Sequence, residues 1–285
     1  MNASAPQSRR LRLRLEYDGA LFCGWQLQSD EHESRKTSVQ GEMERALGTC
    51  LRAKERVVVQ GCGRTDAGVS ARDFYMHFDV PETSPFPEGL EAREKFRHSL
   101  NGILPEGVAV LRVDAVKADF HALYDVKWKT YEYSLLVRRA KATVDASTHH
   151  WIPEFPARFR MDAVLEALKL FEGSHDFVAF AASNHTAQTT VRKIDRAEAR
   201  LAPVVPGDDE NEGLFVVFRF TGKGFLKQMV RTLAGTLVEV GLGKRDVESV
   251  KRLLTGRVSR TESGFCAPAH ALRLAKVSYD EARET

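Results

Sequence analysis

Two periodicities, apolar residues at every second position and apolar residues three or four apart, succeed one another along this chain in an order that is run through twice. The first pass opens with Leu11, Leu13, Leu15 and Tyr17 alternating with Arg12, Arg14 and Glu16, the pattern of a half-buried strand. Tyr17-Asp18-Gly19 turns the chain, and the polar stretch from Ser29 to Thr37 reads as a loop. Val39, Met43, Ala46, Leu47 and Leu51 then recur at helical spacing. Val57-Val58-Val59 reads as a buried strand and Phe74 to Val80 as another, closed by Pro81, Pro85 and Pro87. A helix over about Leu90 to Leu100 and a strand near Val108 to Val113 complete a β-α-β-β-α-β order, the split βαβ arrangement of ferredoxin-like folds.

The second pass runs from a strand over Lys129 to Val137 to a helix through Met161, Val164, Leu165, Leu168 and Phe171. Strands follow near Val191 to Leu201 and Leu214 to Thr221, with Pro203 to Gly213 between them expected as an exposed acidic hairpin. A long helix from Phe225 to about Val240, a shorter one through Val247, Val250 and Leu254, and a strand over Leu272 to Tyr279 finish it. The expectation is an α+β protein of two ferredoxin-like, RRM-like α/β sandwich halves, residues 1–115 and 116–285. No linker separates them, so their antiparallel sheets are expected to fuse around a central cleft, where ligand sites commonly form.

Composition excludes several classes. A length of 285 residues with 43% hydrophobic side chains suffices for a sizeable core, and no apolar run approaches the roughly 18 residues of a membrane span. Cys23, Cys50, Cys62 and Cys266 form neither a CxxC pair nor a regular framework, which argues against a zinc ribbon or a disulfide scaffold and for a reducing compartment. A cytoplasmic or nuclear setting is expected. Arg9, Arg10, Arg12 and Arg14 without an acid leave mitochondrial import as the lesser alternative, because the strand alternation already accounts for most of that stretch. With 42 basic residues against 39 acidic ones, any nucleic-acid-binding surface must be local.

The sharpest local signal is Gly63-Arg64-Thr65-Asp66-Ala67-Gly68, a strand-to-loop turn in which glycines flank an arginine and an acid. An Asp in such a turn usually caps nearby amides. Here Arg64 offers a bidentate partner and the glycines admit a ligand close to the backbone. No Walker loop, HExxH, GxSxG, deaminase zinc signature or dinucleotide fingerprint competes, so Asp66 is the best remaining catalytic candidate, with the structural role still open. Tyr131 and Tyr133 share a strand face and read equally as core aromatics. Arg231 reads as a cation beside the stripe Leu226, Met229, Val230, Leu233, Leu237 and Val240. Arg192, Lys223 and Lys227 suit phosphate contacts, a generic surface role being nearly as good. His175-Asp176 lacks a third ligand at a recognisable spacing, so no metal site is expected.

Six segments in order carry a resemblance to a known family. They are Tyr17-Asp18-Gly19 with Gly24-Trp25-Gln26; Gly63 to Val69 with His77-Phe78-Asp79; Tyr131-Glu132-Tyr133; Gly173-Ser174-His175-Asp176-Phe177; Gly224-Phe225-Leu226 with Met229-Val230-Arg231; and Ala267-Pro268-Ala269. The chain resembles the TruA family of tRNA pseudouridine synthases from Leu15 to Tyr279. Departures are Ser70 where bacterial members usually have His, Asp73 and Phe74 where they have a Gly-Gln pair, and Leu123 where an arginine is common.

The resemblance implies an isomerase that converts uridine to pseudouridine in folded tRNA, on the 3′ side of the anticodon stem-loop, without metal or organic cofactor. It makes Asp66 the catalyst, places Arg231 in the cleft in a salt bridge to Asp66, and has Tyr131 stack on the extruded uracil. It has Arg64 help extrude the nucleotide and fill its place. Bacterial relatives act as homodimers, while eukaryotic relatives work alone or on other tRNA sites and other RNAs. A catalytically idle tRNA-binding chaperone using the same cleft is the rival reading.

Overall fold

The computed structural model describes residues 9–27, 36–138, 148–154, 156–202 and 213–280. Most of the expected Ser29–Thr37 loop and residues 203–212 of the expected acidic hairpin lie outside them. The chain forms two compact units, Met1–Lys127 with Lys276–Thr285, and Trp128–Ala275.

The first unit contains β1 (Arg10–Tyr17), α1 (Val39–Leu51), β2 (Gln60–Gly61), β3 (Ser70–Asp79), α2 (Gly89–Ile103) and β4 (Val108–Ala115). Its strands lie in the order β4-β1-β3-β2, every pairing antiparallel. The register puts Leu11, Leu13 and Leu15 opposite Phe78, Met76 and Phe74, all six on β1 and β3 almost fully buried. Val39, Met43, Ala46 and Leu47 of α1 are buried too. Ser38 opens that helix, its hydroxyl accepting from the Gly41 amide at 3.0 Å.

Two features of this unit differ from the expectation. Val57 and Val59 are buried, but only Gln60 and Gly61 join the ladder. The Val59 amide donates instead to the buried carboxylate of Glu44 at 3.2 Å, which also accepts from Arg56 and Gln40, so a helix side chain replaces the ladder there. The other face of β1 is not open either. Arg12 is 2% exposed, paired with Asp114 at 2.8 Å, its guanidinium 5.3 to 5.7 Å from the rings of Tyr75, Phe120 and Tyr279.

The second unit contains β5 (Trp128–Val137), β6 (His150–Ile152), α3 (Met161–Leu170), β7 (Gly173–Asp176), β8 (Val191–Ala202), β9 (Leu214–Gly222), α4 (Met229–Gly241) and α5 (Val247–Leu253). It also holds residues 272–275 of β10 (Leu272–Ser278). The order β10-β5-β9-β8 repeats that of the first unit, with β7 added beyond β8 and β6 parallel to the end of β5. Two ferredoxin-like sandwiches follow from one strand order used twice.

The long helix starts at Met229 rather than Phe225, because Gln228 takes φ +61° and a right-handed helix cannot run back through it. The helix is also buried on nearly every side. Only Arg231 and Glu239 escape full burial. A Cβ at Gly241 would collide with the Phe159 ring, and one at Gly235 with the Phe265 carbonyl, so neighbours press on the middle and the C-terminal end of α4 without room for side chains.

Candidate active site

In the first unit, the turn that joins β2 to β3 is gripped from two directions. The Trp25 amide donates to the Thr65 carbonyl at 3.2 Å, and the Tyr17 hydroxyl pairs with Thr65 Oγ1 at 2.9 Å in a buried position. Gly24, at φ +111°, lies against the same turn: a Cβ there would stand 2.9 Å from the Thr65 oxygen and 3.2 Å from the Ala67 nitrogen. Gly19 packs on the Val69 backbone so closely that a Cβ has no space. The Val69 amide donates to the Asp66 carbonyl at 3.1 Å, and Gly68 takes φ +82°. The backbone of Asp66 is thereby held on both sides while its side chain stays half-buried. Arg64, two residues earlier, is exposed.

The departures from the family pattern beside this turn have local work. Ser70 Oγ accepts from the Gly19 amide at 3.0 Å and lies 3.4 Å from Asp18 Oδ1. Asp73, 5% exposed, accepts from Arg14 at 2.6 Å and from the Val277 amide at 2.8 Å. His77 is buried and kept neutral. Burial chiefly, with help from the Arg10 and His121 charges, pushes its pKa down to about 4, and its Nδ1 accepts from the Ala122 amide at 3.1 Å.

In the second unit, Tyr131 and Tyr133 project from one face of β5. Tyr131 meets the edge of Phe225 at 5.1 Å between ring centroids, and it is 9% exposed. Phe225 sits between exposed Lys223 and exposed Lys227, in the segment that leads into α4. Within the first turn of α4, half-buried Arg231 donates from Nε to the Ala267 carbonyl at 2.7 Å, while the Ala267 amide donates back to the Arg231 carbonyl at 3.2 Å. The 264–267 segment can run so close because Gly235 and Gly264 carry no side chains; a Cβ at Gly264 would stand 2.5 Å from the Thr236 nitrogen.

Arg192 is spent partly on its own strand end. Its Nη1 donates to the Thr189 and Val191 carbonyls at 2.8 and 2.7 Å, and burial lowers its pKa from the ordinary arginine value. Asp176 accepts from the Val178 amide at 3.0 Å, and His175 Nε2 lies 2.8 Å from the Glu172 carbonyl, both local turn contacts.

The structure thus gathers Tyr131 with Phe225, flanked by Lys223 and Lys227, in one unit, and holds Asp66 on a braced turn beside Arg64 in the other. Phe225 and the Ala267 carbonyl were not singled out from sequence. Their only signal was membership in the segments Gly224-Phe225-Leu226 and Ala267-Pro268-Ala269.

Comparison with known proteins adds an independent finding. A family model described as tRNA pseudouridine synthase matches residues 167–280. The tRNA pseudouridine synthase A of Geobacter sp. (strain M21) is 37% identical over 273 residues, covering 96% of this chain and all of its own. The protein of that name from Clostridium acetobutylicum is 35% identical over 271 residues, covering 95% of this chain and all of its own. That from Anoxybacillus flavithermus is 36% identical over 272 residues, covering 95% and 99%.

Proposed function

The chain belongs to the tRNA pseudouridine synthase A family, a family of isomerases, and from that premise we propose that it converts uridine to pseudouridine in tRNA, on the 3′ side of the anticodon stem-loop, with Asp66 as its catalytic carboxylate. The reaction breaks the N1–C1′ glycosidic bond, turns the uracil, and joins C5 to C1′; the hydrogen on C5 leaves to solvent and the freed N1 takes up a proton. Redox state is unchanged and no co-substrate is consumed, so neither metal nor organic cofactor is required. An aspartate needs no separate base to become a nucleophile. The same carboxylate serves whether it attacks C1′ or takes the C2′ proton.

The observation that carries this reading is the bracing of Asp66. A turn held by Gly24, Gly19, Trp25 and Tyr17 fixes the backbone from which one carboxylate projects, as a reaction depending on a single group demands. Arg231 orients that carboxylate through a charge-assisted pair. Tyr131, stiffened by Phe225, stacks on the extruded uracil. Arg64 fills the place the nucleotide vacates, and exposed Lys223 and Lys227, with Arg192, contact phosphates.

The test is a base-resolution map of pseudouridine in tRNA exposed to the protein or left without it. New pseudouridine on the 3′ side of the anticodon stem-loop is expected. New pseudouridine elsewhere corrects the position, and salt-sensitive binding without modification means an idle tRNA chaperone. No binding at low salt removes tRNA as the partner.

A further inference from the structure

Tyr133 follows Tyr131 by two residues on β5, and its ring is fully buried, edge-on to His150 at 6.0 Å between centroids. Its hydroxyl is buried with no hydrogen-bond partner among the described residues. A phenylalanine would fill the same space without orphaning a donor and acceptor, and an orphaned buried hydroxyl is destabilising. Something other than packing should therefore use that oxygen.

The groups around it narrow the choice. Burial pushes the phenol far above its ordinary pKa, and the Arg231 guanidinium opposes that shift. Cys266 also faces it, but a thiol is a weak donor. His150 Nδ1 is itself buried without a partner among the described residues, and burial pushes that ring down to about 4, so it carries no charge at neutral pH. Arg231 alone of the three offers strong, permanent donors. Its Nε is anchored on the Ala267 carbonyl, next to Cys266, which fixes the root of the guanidinium.

We propose that Tyr133 is a positioning residue for Arg231: in the tRNA-bound enzyme its hydroxyl accepts a hydrogen bond from the guanidinium and sets the direction in which Arg231 presents its charge. This rests on the reading of Arg231 as the partner of Asp66. Tyr133 touches no substrate. Its effect on the reaction is transmitted through Arg231 and is confined to the chemical step.

The experiment measures single-turnover pseudouridine formation, tRNA affinity and thermal transition for Tyr133→Phe, Arg231→Lys, the double variant, and Tyr133→Phe combined with His150→Phe. Tyr133→Phe should keep or raise the melting temperature and hold tRNA affinity within twofold. It should lower the rate about tenfold, the size of a lost charge-assisted hydrogen bond. The tenfold loss should vanish in the Arg231→Lys background and persist beside His150→Phe. An unchanged rate in Tyr133→Phe while Arg231→Lys is slow overturns the role of Tyr133 and leaves Arg231 standing. A rate loss undiminished by Arg231→Lys, or abolished by His150→Phe, also overturns it. A parental rate in Arg231→Lys removes the reading of Arg231 itself.

Discussion

Replacing Gly24 by alanine tests whether the turn carrying Asp66 is held as described. Gly24 takes φ +111°, a region that residues with a Cβ rarely enter, at a cost of about 1–3 kcal/mol. The added methyl would also stand 2.9 Å from the Thr65 oxygen, 3.2 Å from the Ala67 nitrogen and 3.3 Å from the Asp66 carbonyl carbon, all backbone atoms that cannot rotate aside. Overpacking of this kind adds about 1 kcal/mol or more, so a total loss of ~2–4 kcal/mol is expected. Relief comes by pushing the turn outward. A displacement near 1 Å at a reacting group costs on the order of a hundredfold in rate. Gly48→Ala is the matched control. Nothing lies within 4 Å of a Cβ there, the site is inside α1, and the change should stabilise by about 0.5–1 kcal/mol with activity unaltered. Denaturant unfolding and single-turnover assays on both variants give the comparison. If Gly24→Ala keeps stability within 0.5 kcal/mol and a parental rate, the turn is not constrained by Gly24.

Arg12→Met should cost roughly 2–4 kcal/mol in denaturant unfolding, because it removes a buried cation from three aromatic rings and from Asp114; a loss under 0.5 kcal/mol would mean that the rings alone hold that face. Stability should also fall as pH drops from about 6.5 toward 4, since unfolded His77 takes up a proton that the folded form refuses until about pH 4. The share of His77 approaches ~3 kcal/mol at most, buried His150 adds to the loss in the same direction, and a flat profile over that window contradicts a neutral buried His77. Phosphate-dominated binding predicts that tRNA affinity falls steeply between low and physiological salt, and a salt-independent affinity would exclude it.

Much of the fold was legible because its elements keep one period and one environment. The alternation of Leu11, Leu13 and Leu15 and the spacing of Val39, Met43, Ala46 and Leu47 each describe a face that is in fact buried. Arg12 was not legible, since its cover comes from Phe120 and Tyr279, more than 100 positions away. The short β2 was missed because the Val59 amide is satisfied by Glu44, and side-chain capture of a strand amide leaves no trace in hydropathy. The start of α4 was missed because a glutamine, not a glycine, takes the left-handed conformation at 228. At the site, the glycines around Asp66 marked the turn. Period alone treats Tyr131 and Tyr133 alike, and the anchor of Arg231 is a backbone carbonyl, which no side-chain pattern announces.

The central claim, that Asp66 is the catalyst, is tested most directly by following release of hydrogen from uridine C5 with Asp66→Ala and Asp66→Asn at saturating tRNA. Both variants should keep the parental thermal transition and bind tRNA within a few-fold of the parent, because phosphate contacts supply most of the affinity and the lost group is negative. Both should lose on the order of a thousandfold or more in turnover, at least ~4 kcal/mol of barrier. A folded variant that retains a tenth or more of parental turnover would contradict the account.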